Sequence, residues 1–220
     1  PVTVENFPRV AFDIQSLSVI EQANGINKWQ INKLPILPDT QPTTYVNRDM
    51  LYLLAVIDIK DGAQISVPII NNRYISFSII NRDGYASKVF YGGGVHMLNR
   101  NEIGTDFVHV VGRIMVDPDT PQDILEVNSL QSKIRIFSGS ERIFPVIEYN
   151  QNTYEKLSRI FSELMLYSSS SSDMFGKKED VNDLQFLIGT SIGWGGLSNK
   201  EALYYIEKPN LTIDRYKLTV

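Results

Sequence analysis

The chain has no cysteine among its 220 residues. That excludes disulfides and thiolate metal sites but leaves the compartment open, because a cysteine-free chain survives in reducing and oxidising surroundings alike. Histidine is scarce: His96 and His109 are the only two, and neither has histidine or carboxylate companions at the short spacings of a zinc site, so no metal and no cofactor is expected. An excess of either charge is missing as well. The 21 Lys and Arg are interspersed with 25 Asp and Glu, for a net charge of -4, and no basic stripe exists to neutralise phosphates, which argues against nucleic acid as a partner. No apolar run approaches the roughly 20 residues that cross a bilayer, so no membrane-spanning helix is expected.

Catalytic signatures are also missing. There is no Gly-x-Ser-x-Gly elbow, and Ser138-Gly139-Ser140 lacks the strand-to-helix setting that activates such a serine. Gly92-Gly93-Gly94 and Gly193-Trp194-Gly195-Gly196 lack the lysine, hydroxyl and spacing of phosphate-binding loops.

What is present is a β-rich pattern framed by helices, in a chain long enough to bury a large core. Phe7, Val10, Ala11, Ile14 and Leu17 follow helical spacing, with Asn6 as cap, Pro8 in the first turn and Asn24-Gly25 as stop. Pro35, Pro38 and Pro42 make residues 33–43 an extended connector. The segments 51–59, 64–70, 74–80, 88–91 and 107–116 are β-branched or aromatic and read as strands. Asp61-Gly62 signals a hairpin, Asn71-Asn72 and Asp83-Gly84 signal further turns, and Gly92-Gly93-Gly94 permits a bend. Thr120-Pro121 opens a helix running to Leu130, 134–137 returns as a strand, and Tyr154 to Met165 recur at helical spacing before a serine-rich linker, 168–172. Asp180 or Asn182 caps a short helix that ends at the second glycine run, and 202–206 and 216–220 read as strands. The last strand stops with its apolar face unfinished, which predicts a continuation or a partner strand from another subunit.

Short strands with regular turns predict a mainly β chain with added helices, an α+β arrangement built on an antiparallel, jelly-roll-like β-sandwich. Its expected organisation is a sandwich over residues 1–145, a helical linker over 146–192 and the incomplete start of a second β domain over 193–220.

Asn47-Arg48-Asp49 with Leu51-Tyr52, Phe90-Tyr91-Gly92, Gly104-Thr105 and Val111-Gly112-Arg113 ending at Val116-Asp117 resemble the domain of unknown function 1254. Met174-Phe175-Gly176, Leu187-Ile188-Gly189-Thr190, Gly193-Trp194-Gly195-Gly196 and Glu201-Ala202 with Tyr204 resemble the linker and opening of its usual partner, the domain of unknown function 1214. The likeness spans nearly the whole chain. It implies tandem jelly-roll-like domains in exported bacterial proteins or large-virus proteins, and hence a secreted, periplasmic or virion location with assembly into homo-oligomers. Some members carry a carboxylesterase or hydrolase label, without a signature that specifies a mechanism. This chain ends where members normally continue through most of the second domain.

The candidate ligand-binding residues are Arg48, Asp49, Tyr52, Tyr91, His96, Arg113 and Trp194, with no catalytic residue assigned. Arg48 and Asp49 either bind an anion through a guanidinium fork or satisfy each other and the connector. Arg113 lies inside an apolar strand and needs a partner, either Asp49 or Asp58 in a core ion pair or a ligand. His109 alternates in register with Arg113, although a lone strand histidine usually packs as a hydrogen-bonded core residue. Tyr91 and Trp194 suit either an apolar pocket or the core. Two functional classes follow: a non-enzymatic protein acting through assembly or ligand binding, and a small-molecule hydrolase with a pocket around Arg48, Tyr52, Tyr91, His96 and Arg113.

Overall fold

A computed structural model of the chain describes residues 1–36, 47–168 and 170–202. Its elements are helix α1 (Phe7–Ala23), strands β1 (Gln30–Ile31), β2 (Met50–Asp58), β3 (Ala63–Val67), β4 (Ile75–Asn81), β5 (Ala86–Tyr91) and β6 (Gly94–Leu98), the short helix α2 (Arg100–Ile103), β7 (Phe107–Met115), α3 (Pro121–Gln131), β8 (Arg135–Ser138), α4 (Gln151–Leu164) and α5 (Asp183–Gly193). The strands form a five-stranded sheet in the order β1-β2-β7-β4-β5 and a three-stranded sheet in the order β6-β3-β8, both antiparallel.

The pairing is that of a rolled-up hairpin. β4 pairs with β5, β3 with β6 and β2 with β7, three nested pairs about one apex. Rolling that ribbon brings β4 against β7 and β3 against β8, which is the jelly-roll arrangement of two facing sheets. The α+β, sandwich-like architecture predicted from the strand pattern is therefore the observed one.

Asp61-Gly62 makes a tight turn, with Gly62 N–H donating to Ile59 O at 3.0 Å. It does not close a hairpin ladder, because β2 and β3 belong to different sheets; the chain turns a corner of the roll instead. Asp83-Gly84 does close one, between β4 and β5. At the second corner Gly93 is obligatory, since a Cβ there would lie 2.3 Å from Pro68 O.

Between the sheets, Leu51, Leu53, Ala55 and Ile57 of β2, Ile75, Phe77 and Ile79 of β4 and Val108, Val110 and Ile114 of β7 meet Ala63, Ile65 and Val67 of β3. Each fully buried aliphatic or aromatic side chain here contributes roughly 1.5–3 kcal/mol. The five-stranded sheet is covered on its outer face too. There α1 lays Phe12 and Val19 over Val56, Phe107 and Val111, which explains why β2, β4 and β7 read as nearly continuous apolar runs. α1 buries its other side, Phe7 and Val10, against Phe161 and Tyr154 of α4.

Ion pairs fix the layers. Asp13 of α1, buried, receives Arg82 Nε and Nη2 at 2.8 Å each, and Asp58 at the end of β2 receives Nη2 of Arg142 at 2.7 Å and its Nε at 3.0 Å. The predicted strands 202–206 and 216–220 lie outside the described residues, apart from Ala202, as does most of the proline connector.

Candidate functional site

Strand alternation and register place the candidate residues. On the outer face of the five-stranded sheet, Tyr52 of β2 stands opposite Arg113 of β7, Arg113 opposite Ser76 of β4, and Ser76 opposite Tyr91 of β5. Three of the predicted site residues thus share one cross-strand row. Ser78 is the next outward residue of β4, two along from Ser76.

Arg113 has no carboxylate partner among the described residues, contrary to the expected pairing with Asp49 or Asp58. Asp58 is taken by Arg142. Burial pushes its carboxyl up, but the Arg142 side chain, the Arg142 and Lys60 N–H groups and the Ser140 hydroxyl outweigh this and hold it down at about 2. Asp49 is exposed at the entrance to β2, where its carbonyl, not its carboxylate, accepts from Val116 N–H at 2.9 Å. The Arg113 guanidinium donates through Nη2 to Gly195 O at 3.2 Å. Its Nη1 is buried and has no hydrogen-bond partner among the described residues. The same holds for the hydroxyls of Ser76 and Ser78, both 0% exposed.

Trp194, just past the end of α5, belongs to this layer. It packs edge-on against His109 at 4.8 Å and Phe12 at 6.2 Å, and its Nε1 is another buried donor lacking a partner among the described residues. Tyr91 is half-exposed at the sheet edge and donates from its hydroxyl to Glu201. Burial, the Glu201 carboxylate and Tyr74 push that hydroxyl well above the usual tyrosine range, so it remains a donor.

The other predicted residues are not part of this row. Arg48, like Asp49, is exposed in the turn before β2. His96 of β6 pairs across from Ile65, stacks on Phe90 at 4.8 Å and meets Gly92 O at 3.0 Å through Nε2. That puts it between the two sheets, on the opposite side of the five-stranded sheet from Arg113, as a packed and hydrogen-bonded histidine.

His109 does share the Arg113 face. Its Nδ1 lies 3.4 Å from Ser16 Oγ, beneath α1. Both side chains are buried, and burial pushes the imidazole down to about 3, so it is neutral. A serine and a histidine in contact resemble a nucleophile and its base, but enclosure under α1 makes this pair a satisfied core contact.

A groove of about 870 Å³ opens where the start of α1, the β4–β5 turn and the start of α5 meet. Within its lining Arg9 pairs with Asp83 at 2.6 Å, and Glu102 pairs with Lys88 beside it at 2.7 Å. Tyr85 stacks on Phe186 at 4.4 Å beside it.

The buried serines were legible in principle. Ile75-Ser76-Phe77-Ser78-Ile79 alternates hydroxyls with large apolar residues inside a strand buried on both faces, where each hydroxyl requires a reason to be there.

No protein-family model and no curated protein matches the chain. Among solved structures the chain is similar to the VPA0106 protein from Vibrio parahaemolyticus, with a TM-score of 0.64 at 15% sequence identity over 88% of this chain. At that identity the likeness is one of fold, and the chain spans 66% of the length of that protein.

Proposed function

We propose that the chain is a non-catalytic β-sandwich module that acts by assembly, pairing with a second copy through the open face of its three-stranded sheet. The observation that carries this reading is the exposure of Val95 (58%), Met97 (58%) and Phe137 (53%) on that face. Met97 and Phe137 flank Gln64 across the register, and Val95 stands opposite Ser66 in the neighbouring row. Among the described residues the five-stranded sheet has no comparable open face, since α1 and Trp194 pack over it.

Apolar side chains grouped this way mark an interaction surface. A second copy suits the face because the Gln64 amide is both donor and acceptor, so two copies related by a two-fold axis can pair their amides while their apolar residues interdigitate. Among the described residues β6 and β8 are the edge strands of this sheet, so the same face is bordered by strands with an open side. The resemblance to the domains of unknown function 1254 and 1214 supports an exported or virion-type setting for such an assembly.

A hydrolase pocket drawn from Arg48, Tyr52, Tyr91, His96 and Arg113 has less support, because His96 of the three-stranded sheet lies between the two sheets while Arg113 faces outward from the five-stranded one. Sedimentation equilibrium tests the proposal. The wild type is expected at twice the chain mass at tens of micromolar, and Phe137→Lys at the single-chain mass; a wild-type monomer at those concentrations overturns it.

A further inference from the structure

We propose that Arg113, with the hydroxyls of Ser76 and Ser78, forms a binding site for a small carboxylate on the outer face of the five-stranded sheet. The argument starts from the imbalance of donors and acceptors. Arg113 Nη1 offers two N–H donors and no acceptor, each serine hydroxyl can donate, and all three groups are buried without partners among the described residues. Trp194 Nε1 adds a fourth unpartnered donor to the same layer.

The three groups are neighbours in the sheet. Ser76 stands directly opposite Arg113, and Ser78 is the next side chain on the same face of β4. Arg113 is only partly buried, but its Nη1 is enclosed without a counter-charge, which is costly, and each buried hydroxyl without a partner adds to that cost. A single negatively charged acceptor relieves all of these deficits at once.

A carboxylate is the class that fits. Its two oxygens accept from planar guanidinium donors in charge-assisted bonds, and its remaining lone pairs accept from hydroxyls alongside. The carbonyl of Gly195 takes one of the two N–H donors of Nη2 at 3.2 Å, which leaves Nη1, with neither of its donors partnered among the described residues, as the principal anchor. Tyr52 and Tyr91 close the row at either end. At the Tyr91 end of the row the Glu201 carboxylate is held by the Tyr91 hydroxyl.

The test uses trifluoroacetate as probe, followed by fluorine NMR with the full chain. Saturable line broadening is expected for the wild type, reversed by formate and acetate. Arg113→Met abolishes it, and Arg113→Lys, which keeps the charge but not the planar donors, weakens it several-fold. Ser76→Ala, a milder change, provides a second reading if an Arg113 variant fails to fold, and is expected to weaken binding by a smaller factor. Equal broadening in wild type and Arg113→Met, no saturable broadening in the wild type, or displacement by chloride but not by formate or acetate each overturns the proposal.

Discussion

Arg113 and Ser76 stand directly opposite each other on adjacent strands of the five-stranded sheet, and the guanidinium reaches a carbonyl, Gly195 O, but no carboxylate among the described residues. Enclosing Nη1 of an arginine without a counter-charge costs stability. Arg113→Met is therefore expected to raise the stability in carboxylate-free buffer by on the order of 1 kcal/mol, as when buried charge is exchanged for apolar volume. Thermal unfolding of the two proteins checks this, and a lower midpoint for the variant contradicts it.

Asp58 carries the opposite expectation. It is fully buried and held by Arg142, whose guanidinium also reaches Asp106 at 3.0 Å. Asp58→Ala is expected to lose about 3 kcal/mol, because it leaves Arg142 without its buried partner. The wild-type carboxyl titrates at about 2 in the fold, below its ordinary value of 3.8. Its contribution is thus complete above that ordinary value and is lost as pH falls from there through the folded value. Urea midpoints between pH 5 and about 2 should converge for wild type and variant as the pH drops; parallel curves would exclude the Asp58 linkage.

His109 produces a second pH dependence, in a different window. Its folded value of about 3 lies below the ordinary 6.5, so on acidification the unfolded chain takes up the proton first. Stability from keeping the ring neutral is present above pH 6.5 and declines as pH falls from there towards 3. His109→Phe, similar in size and without a titrating group, should be less stable at pH 8 yet show a shallower decline between pH 6.5 and 4.5. The measurement is the unfolding midpoint of both proteins across that range, and identical slopes contradict the burial of His109.

Gly112 tests the packing between the sheets. A Cβ at this position would lie 2.9 Å from Phe77 Cε1 and 3.3 Å from Leu53 Cβ. Gly112→Ala should cost about 1–3 kcal/mol by overpacking. Adding Phe77→Leu should cost less in the Gly112→Ala background than in wild type, a positive coupling that a double-mutant cycle reads directly. Additive effects would place Gly112 and Phe77 out of contact.

Much of the roll was readable because its strands are apolar on both faces and punctuated by turn residues. β1 escaped notice because two residues, Gln30 and Ile31, carry no periodicity. β6 was only partly legible, since it follows a glycine run and exposes Val95 and Met97 on one side while packing His96 on the other. The true partner of Asp58 could not be inferred, because Arg142 lies 84 residues away in sequence and outside any strand. Alternation carried back from Tyr52 puts Arg48 on the same face, but β2 begins only at Met50, so Arg48 sits in the preceding turn and not in the row. The two serines of β4 were visible but became informative only when α1 and the Trp194 segment were seen to bury the face they occupy.

The absence of cysteine makes the assembly claim directly measurable, because one introduced thiol reports on one surface. Met97→Cys places it on the open face of the three-stranded sheet, and Tyr167→Cys, at a position 85% exposed beyond α4, serves as reference. Thiol labelling of Met97→Cys should slow as protein concentration rises from about 1 to 100 µM, the range over which a weak homodimer fills, while that of Tyr167→Cys stays constant. Labelling of Met97→Cys at one rate across the whole range contradicts pairing through this face.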